Sequence, residues 1–80
     1  MGIAFDVFVT YSDGEPCTGK GVEALFPGFW DGGSITEYTD ESGHAKFETR
    51  SDHSQVTIYV GGENRGTYDI EDGSGLTIVL

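Results

Sequence analysis

The sequence predicts an all-β protein, a two-sheet antiparallel sandwich of seven strands built as a single domain over residues 1–80. Three observations predict it. Short runs rich in Val, Ile, Thr, Tyr and Phe alternate apolar with polar residues, which is the period of a half-buried strand. The thirteen glycines are spread along the whole chain rather than gathered in one linker, so they punctuate those runs as turns. No segment carries a helical period, and turn signals recur every 8–12 residues, as in sandwiches.

The first strand is expected over Ile3–Tyr11, with Ile3, Phe5, Val7, Val9 and Tyr11 on one face and Asp6 and Thr10 on the other. Ser12-Asp13-Gly14-Glu15-Pro16 reads as a turn, because Asp bonds its own following backbone and Gly accepts positive φ. Gly21–Phe26 is the second strand, with Val22, Ala24 and Phe26 set against Glu23 and Leu25 and a stop at Pro27-Gly28. A loop follows at Phe29-Trp30-Asp31-Gly32-Gly33, then a β-prone stretch at Ser34–Thr39. Asp40-Glu41-Ser42-Gly43 separates two β-rich runs, so Ile35–Thr39 and His44–Thr49 are expected to form a hairpin with Ala45 and Phe47 facing the core. After a polar loop at Ser51–Ser54, Val56, Ile58 and Val60 alternate with Thr57 and Tyr59. The Gly61-Gly62-Glu63-Asn64 turn leads to a short strand near Gly66–Ile70, and Glu71–Gly75 leads to the last strand, Leu76–Leu80.

Composition narrows the function classes. Four Lys+Arg against fourteen Asp+Glu give a net charge of −10, which repels nucleic-acid phosphates and anionic lipid head groups alike. Neither nucleic acid nor a membrane surface is an expected partner. A basic partner or plain colloidal solubility suits the charge. The one cysteine, Cys17, forms no intrachain disulfide, so a reducing compartment, the cytoplasm, is expected unless the domain is excised from a longer secreted protein. The start, Met1-Gly2-Ile3-Ala4-Phe5-Asp6, reads as the approach to a strand and carries no basic leader.

With the strands placed, Asp13-Gly14-Glu15-Pro16, Gly21-Val22-Glu23-Ala24 and Thr39-Asp40-Glu41-Ser42-Gly43-His44-Ala45-Lys46-Phe47 together resemble the prealbumin-like, Ig-like sandwich domains. Carboxypeptidase regulatory-like domains and collagen-adhesin B-type repeats share the pattern. The resemblance covers about the first two thirds of the chain. It implies a fold and an accessory role, adhesive or positioning, whose partner varies between members. Two chemistries of such proteins find no support in the residues. Adhesin repeats join a first-strand Lys to a last-strand Asn, whereas Ile3–Tyr11 has no Lys and Leu76–Leu80 no Asn. Transthyretin-like hydrolases end Tyr-Arg-Gly-Ser, and this chain ends Leu-Thr-Ile-Val-Leu.

Nucleophilic catalysis would need Cys17 or a Ser beside His44 or His53, and neither histidine sits in a motif, so no catalytic residue is assigned. Carboxylates cluster in turns at Asp13, Glu15, Asp31, Asp40, Glu41, Asp69, Glu71 and Asp72, where they charge sheet edges against edge-to-edge pairing or, if the loops converge, offer oxygens to calcium. No metal and no cofactor is expected. The most informative segment is Phe26–Gly33, with three large aromatics in and beside a glycine-rich loop. Phe29 and Trp30 either complete a small core or form a binding hot spot, and the expected binding residues are Phe29, Trp30, Asp31 and Tyr38. Tyr59 and Tyr68 would extend that surface if they point outward. The expected function is a non-enzymatic protein-interaction or structural module, able to self-associate if Leu76–Leu80 lies at a sheet edge. The alternatives are a carbohydrate-binding module using Trp30 and an acidic inhibitor of a basic protein.

Overall fold

The computed structural model describes residues 2–28 and 33–80. Seven strands lie among them: β1 (Ala4–Thr10), β2 (Gly21–Phe26), β3 (Gly33–Tyr38), β4 (His44–Glu48), β5 (Gln55–Val60), β6 (Glu63–Asp69) and β7 (Gly75–Val79). They form a three-stranded sheet in the order β4-β1-β7 and a four-stranded sheet in the order β3-β2-β5-β6. The result is the β-sandwich that the alternating pattern predicts.

The core lies between the sheets. Phe5, Val7 and Val9 of β1 face Val22, Ala24 and Phe26 of β2, with Ala45 and Phe47 of β4, Val56, Ile58 and Val60 of β5, and Ile3, Cys17, Ile70 and Ile78 completing it. Phe5 knits the two layers together: it stacks on Phe47 within its own sheet (centroids 5.2 Å apart, planes 10° apart) and meets Phe26 of the other sheet edge-on at 6.0 Å. Both arrangements suit the ring quadrupoles.

Four expectations are corrected. Ile35–Thr39 and His44–Thr49 do not form a hairpin. β3 pairs with β2 (Ala24 opposite Ile35), whereas β4 pairs with β1 in the other sheet (Val7 opposite Ala45, Phe5 opposite Phe47). The Asp40–Gly43 turn is present, with Gly43 N–H donating to the Asp40 carbonyl at 3.0 Å, but it carries the chain from one sheet to the other. Alternation fixes the face of a strand and leaves its neighbour open. The sandwich is also not wholly antiparallel. β7 returns through the 70–74 turn and lies parallel to β1, with Val9 opposite Ile78. Tyr11 is 47% exposed rather than inward, because β1 ends at Thr10 and Tyr11 joins the next turn, donating its N–H to the Glu15 carbonyl. Finally, β6 begins at Glu63 rather than near Gly66. Gly61 and Gly62 adopt φ of 59° and 87°, the two positive values of a tight hairpin turn, so Val60 pairs directly with Glu63.

The strand directions set two ends. One carries the 11–20 and 39–43 segments and the Gly61-Gly62 turn. The other carries residues 27–28 and the 49–54 and 70–74 segments. At the first end, Thr39 is the buried polar residue among those described: its hydroxyl accepts the Lys20 N–H at 2.9 Å, its own N–H donates to the Lys20 carbonyl, and its carbonyl accepts the Gly19 N–H.

Candidate functional site

The second end contains a concavity of about 180 Å³ that bridges the two sheets. Phe26, the last residue of β2, forms its apolar wall together with Ile35. Phe26 is held from behind by Phe5, and the His53 imidazole stacks on its ring at 4.5 Å with planes 25° apart. The segment between β4 and β5 supplies the polar wall through Thr49, Arg50, Ser51 and His53, and Gly33 and Ser34 close it from the start of β3.

This wall is fixed by hydrogen bonds at both of its ends. Thr49 N–H donates to the Ile3 carbonyl at 2.9 Å, Ile3 N–H donates to Thr49 Oγ1 at 3.1 Å, and the Thr49 hydroxyl donates to the Ser51 carbonyl at 2.6 Å. Ile70 N–H donates to the Ser54 carbonyl at 2.9 Å. A loop so tied presents its side chains without first being ordered by a ligand, which lowers the cost of binding.

Charge at this wall runs against the rest of the molecule. Arg50 lines it and no carboxylate does among the described residues, although Asp52 belongs to the same 49–54 segment. Elsewhere Arg65 pairs with Glu63 at 3.3 Å and Lys46 lies 3.9 Å from Glu48, whereas Lys20 makes no ion pair among the described residues. Arg50 makes no ion pair among the described residues.

Of the binding residues expected from sequence, Phe29, Trp30 and Asp31 lie outside the described residues. Tyr38 is 70% exposed but sits at the far end of β3, five residues from Gly33, or about 17 Å along the strand. Its ring packs over Gly21, opposite it on β2. Tyr59 shares that outer sheet face through its pairing with Glu23. Tyr68 instead points inward, packs on the core and donates its hydroxyl to the Arg65 carbonyl at 2.6 Å. Tyr38 and Tyr59 therefore share one outer face, and Tyr68 alone turns away from it.

The turn carboxylates separate as well. Asp13, Glu15, Asp40 and Glu41 belong to the first end, and Asp69, Glu71 and Asp72 to the second. Among the described residues, no three His, Cys, Asp or Glu side chains come together as a metal site would require. Asp40 is spent on its own turn. Its Oδ1 accepts the Ser42 hydroxyl at 2.8 Å and the Ser42 and His44 N–H groups at 2.9 and 3.0 Å, which holds its carboxyl below the usual range. Cys17 is fully buried in the core. His44 lies on the outer face of the three-stranded sheet, stacked on Phe8 at 4.8 Å and bonded to Asp6.

Sequence reasoning missed Arg50 and the wall-forming role of Phe26 and His53. A usable signal was present: two of the few cationic or imidazole side chains in a strongly acidic chain fall within one short polar segment, 49–54.

No family model and no curated protein sequence matches the chain. Among solved structures it is similar to the crystal structure of a DUF3823 family protein from Parabacteroides merdae ATCC 43184, with a TM-score of 0.73 at 11% identity. The match covers 98% of this chain and 45% of that one, so the chain spans less than half the length of the protein it resembles. At that identity the likeness shows a shared β-sandwich fold.

Proposed function

We propose that the chain is a non-enzymatic accessory module of the prealbumin-like kind, which recognises a protein partner through the second end of its sandwich. The observation that carries this reading is the preorganised concavity against the Phe26 and His53 rings, which Arg50 also lines. Aromatic residues and Arg dominate contact energies at interfaces, and Phe26 and Arg50 line this concavity. The prealbumin-like assignment draws support from Asp40 and Gly43, which perform the turn roles that the Thr-Asp-x-x-Gly pattern implies.

The test is capture of partners by the wild-type domain, Trp30→Ala and Arg50→Ala side by side at low and moderate salt, with the fold of each variant checked first. Loss of a salt-resistant partner with either variant, by about 2 kcal/mol of binding or more, supports the reading. A partner kept by both variants and washed off by salt would instead point to the acidic surface as an inhibitor of a basic protein. Quenching of Trp30 fluorescence by a glycan with no protein present would favour carbohydrate binding.

Self-association is a second mode with its own support. β7 is an edge strand, and Gly75–Leu80 carries no charged side chain, whereas β3, β4 and β6, the other edges, each do. Uncharged edges are the ones open to strand addition. Sedimentation of the wild type should reveal a concentration-dependent dimer that Thr77→Lys abolishes.

A further inference from the structure

We infer that the concavity at the second end is a receptor for a single carboxylate on a short aliphatic stem, such as a glutamate side chain of the protein partner, with Arg50 as its counter-ion; this rests on the reading of that end as the recognition surface. Arg50, Ser34, Ser51 and His53 all line the concavity, and none of their side chains makes a hydrogen bond among the described residues. The Thr49 hydroxyl is already committed to the Ser51 carbonyl. Arg50 is the one donor-only, always charged side chain among them, and no described carboxylate is in the lining, so the complementary ligand is a negatively charged acceptor.

Size and field decide which anion. About 180 Å³ lies below the roughly 300–1,000 Å³ of pockets that engulf whole metabolites, so one side chain fits better than a complete small molecule. The net charge of −10 repels every anion, and a doubly charged phosphate meets twice the repulsion of a carboxylate. Beyond about 8 Å that repulsion is screened at physiological salt, whereas a forked guanidinium–carboxylate pair acts at contact distance. The local term therefore wins for a monoanion. Phe26 and Ile35 offer apolar surface for the methylenes that carry it.

The test is an amide-shift titration of the domain by NMR with N-acetyl-glutamate amide, alongside the neutral N-acetyl-glutamine amide, glucuronate and inorganic phosphate. The glutamate probe should move the amides of Ser34 and Thr49–His53, and the glutamine probe should bind at least about tenfold more weakly. Arg50→Gln should remove the same preference while leaving distant shifts, such as those of Ile58 and Phe47, unchanged. Equal binding of the glutamate and glutamine probes, or tighter binding of phosphate or glucuronate, would overturn the inference. If no probe binds while partner capture still depends on Trp30, the carboxylate receptor fails and the interaction module stands. If the probe binds but capture ignores both Trp30 and Arg50, the receptor stands and the partner reading fails.

Discussion

Val9 and Gly43 are locked backbone to backbone: the Val9 N–H donates to the Gly43 carbonyl at 2.8 Å, and a methyl group built on Gly43 would come within 2.4 Å of the Val9 carbonyl oxygen. That oxygen also accepts the Cys17 N–H at 2.9 Å, so it is not free to retreat. Gly43 adopts φ of +78°, where a side chain adds strain of its own. Gly43→Ala should therefore destabilise the domain by about 3 kcal/mol, in the range of a steric and backbone defect combined, read as a lower urea midpoint.

The pH dependence of stability should carry the mark of Asp40. Its carboxyl is held below the ordinary value of 3.8, first by the Ser42 hydroxyl and then by the His44 and Ser42 N–H groups. A depressed acid binds protons more readily in the unfolded chain. Its stabilising contribution is thus complete above pH 3.8 and is lost as the pH falls through the lower folded value. Acid titration of Asp40→Ala should show a lower plateau near neutrality and a shallower loss below pH 4 than the wild type. Parallel curves would show that the turn does not depend on this carboxylate.

Thr39→Val tests the clamp between the 17–20 segment and the end of β3. The substitution keeps the shape of the side chain but leaves the Lys20 N–H without its acceptor in a site where Thr39 is only 5% exposed. A loss of roughly 1–3 kcal/mol is expected, against near neutrality for Thr36→Val on the exposed part of the same strand. Equilibrium denaturation of the two variants decides it.

Two phenylalanines on the three-stranded sheet should behave oppositely. Phe47 is fully buried and stacked on Phe5, so Phe47→Ala should cost about 3–5 kcal/mol, comparable with the whole stability of a domain this small. Phe8 is 40% exposed and rests on His44, and Phe8→Ala should cost less than about 1.5 kcal/mol. Circular dichroism melts of both variants give the comparison.

Which parts of the molecule were legible follows from how far each signal reaches. The strand over Gly21–Phe26 was read to the residue, because Val22, Ala24 and Phe26 alternate cleanly and Pro27 ends the run. The inward set Phe5, Val7 and Val9 was equally plain, and Tyr11 failed only because β1 stops one residue earlier. The site was less legible. Trp30 draws attention by type alone, whereas Arg50 and His53 gain meaning only from standing beside Phe26 and Ser34, which are distant in sequence.

The sequence by itself determined that the chain is all-β, where most of its turns fall, and most of the side chains that enter the core, Tyr11 and Cys17 excepted, since alternation and turn chemistry are properties of a few neighbouring residues. Tertiary structure alone decided that β4 leaves β3 to pair with β1, that β7 runs parallel to β1, and that the 49–54 segment meets the ends of β2 and β3 to form a concavity lined by Arg50. Several pairings satisfy the same period-2 pattern. The choice among them rests on long-range contacts, such as Phe5 between Phe47 and Phe26, that exist only once both sheets are packed.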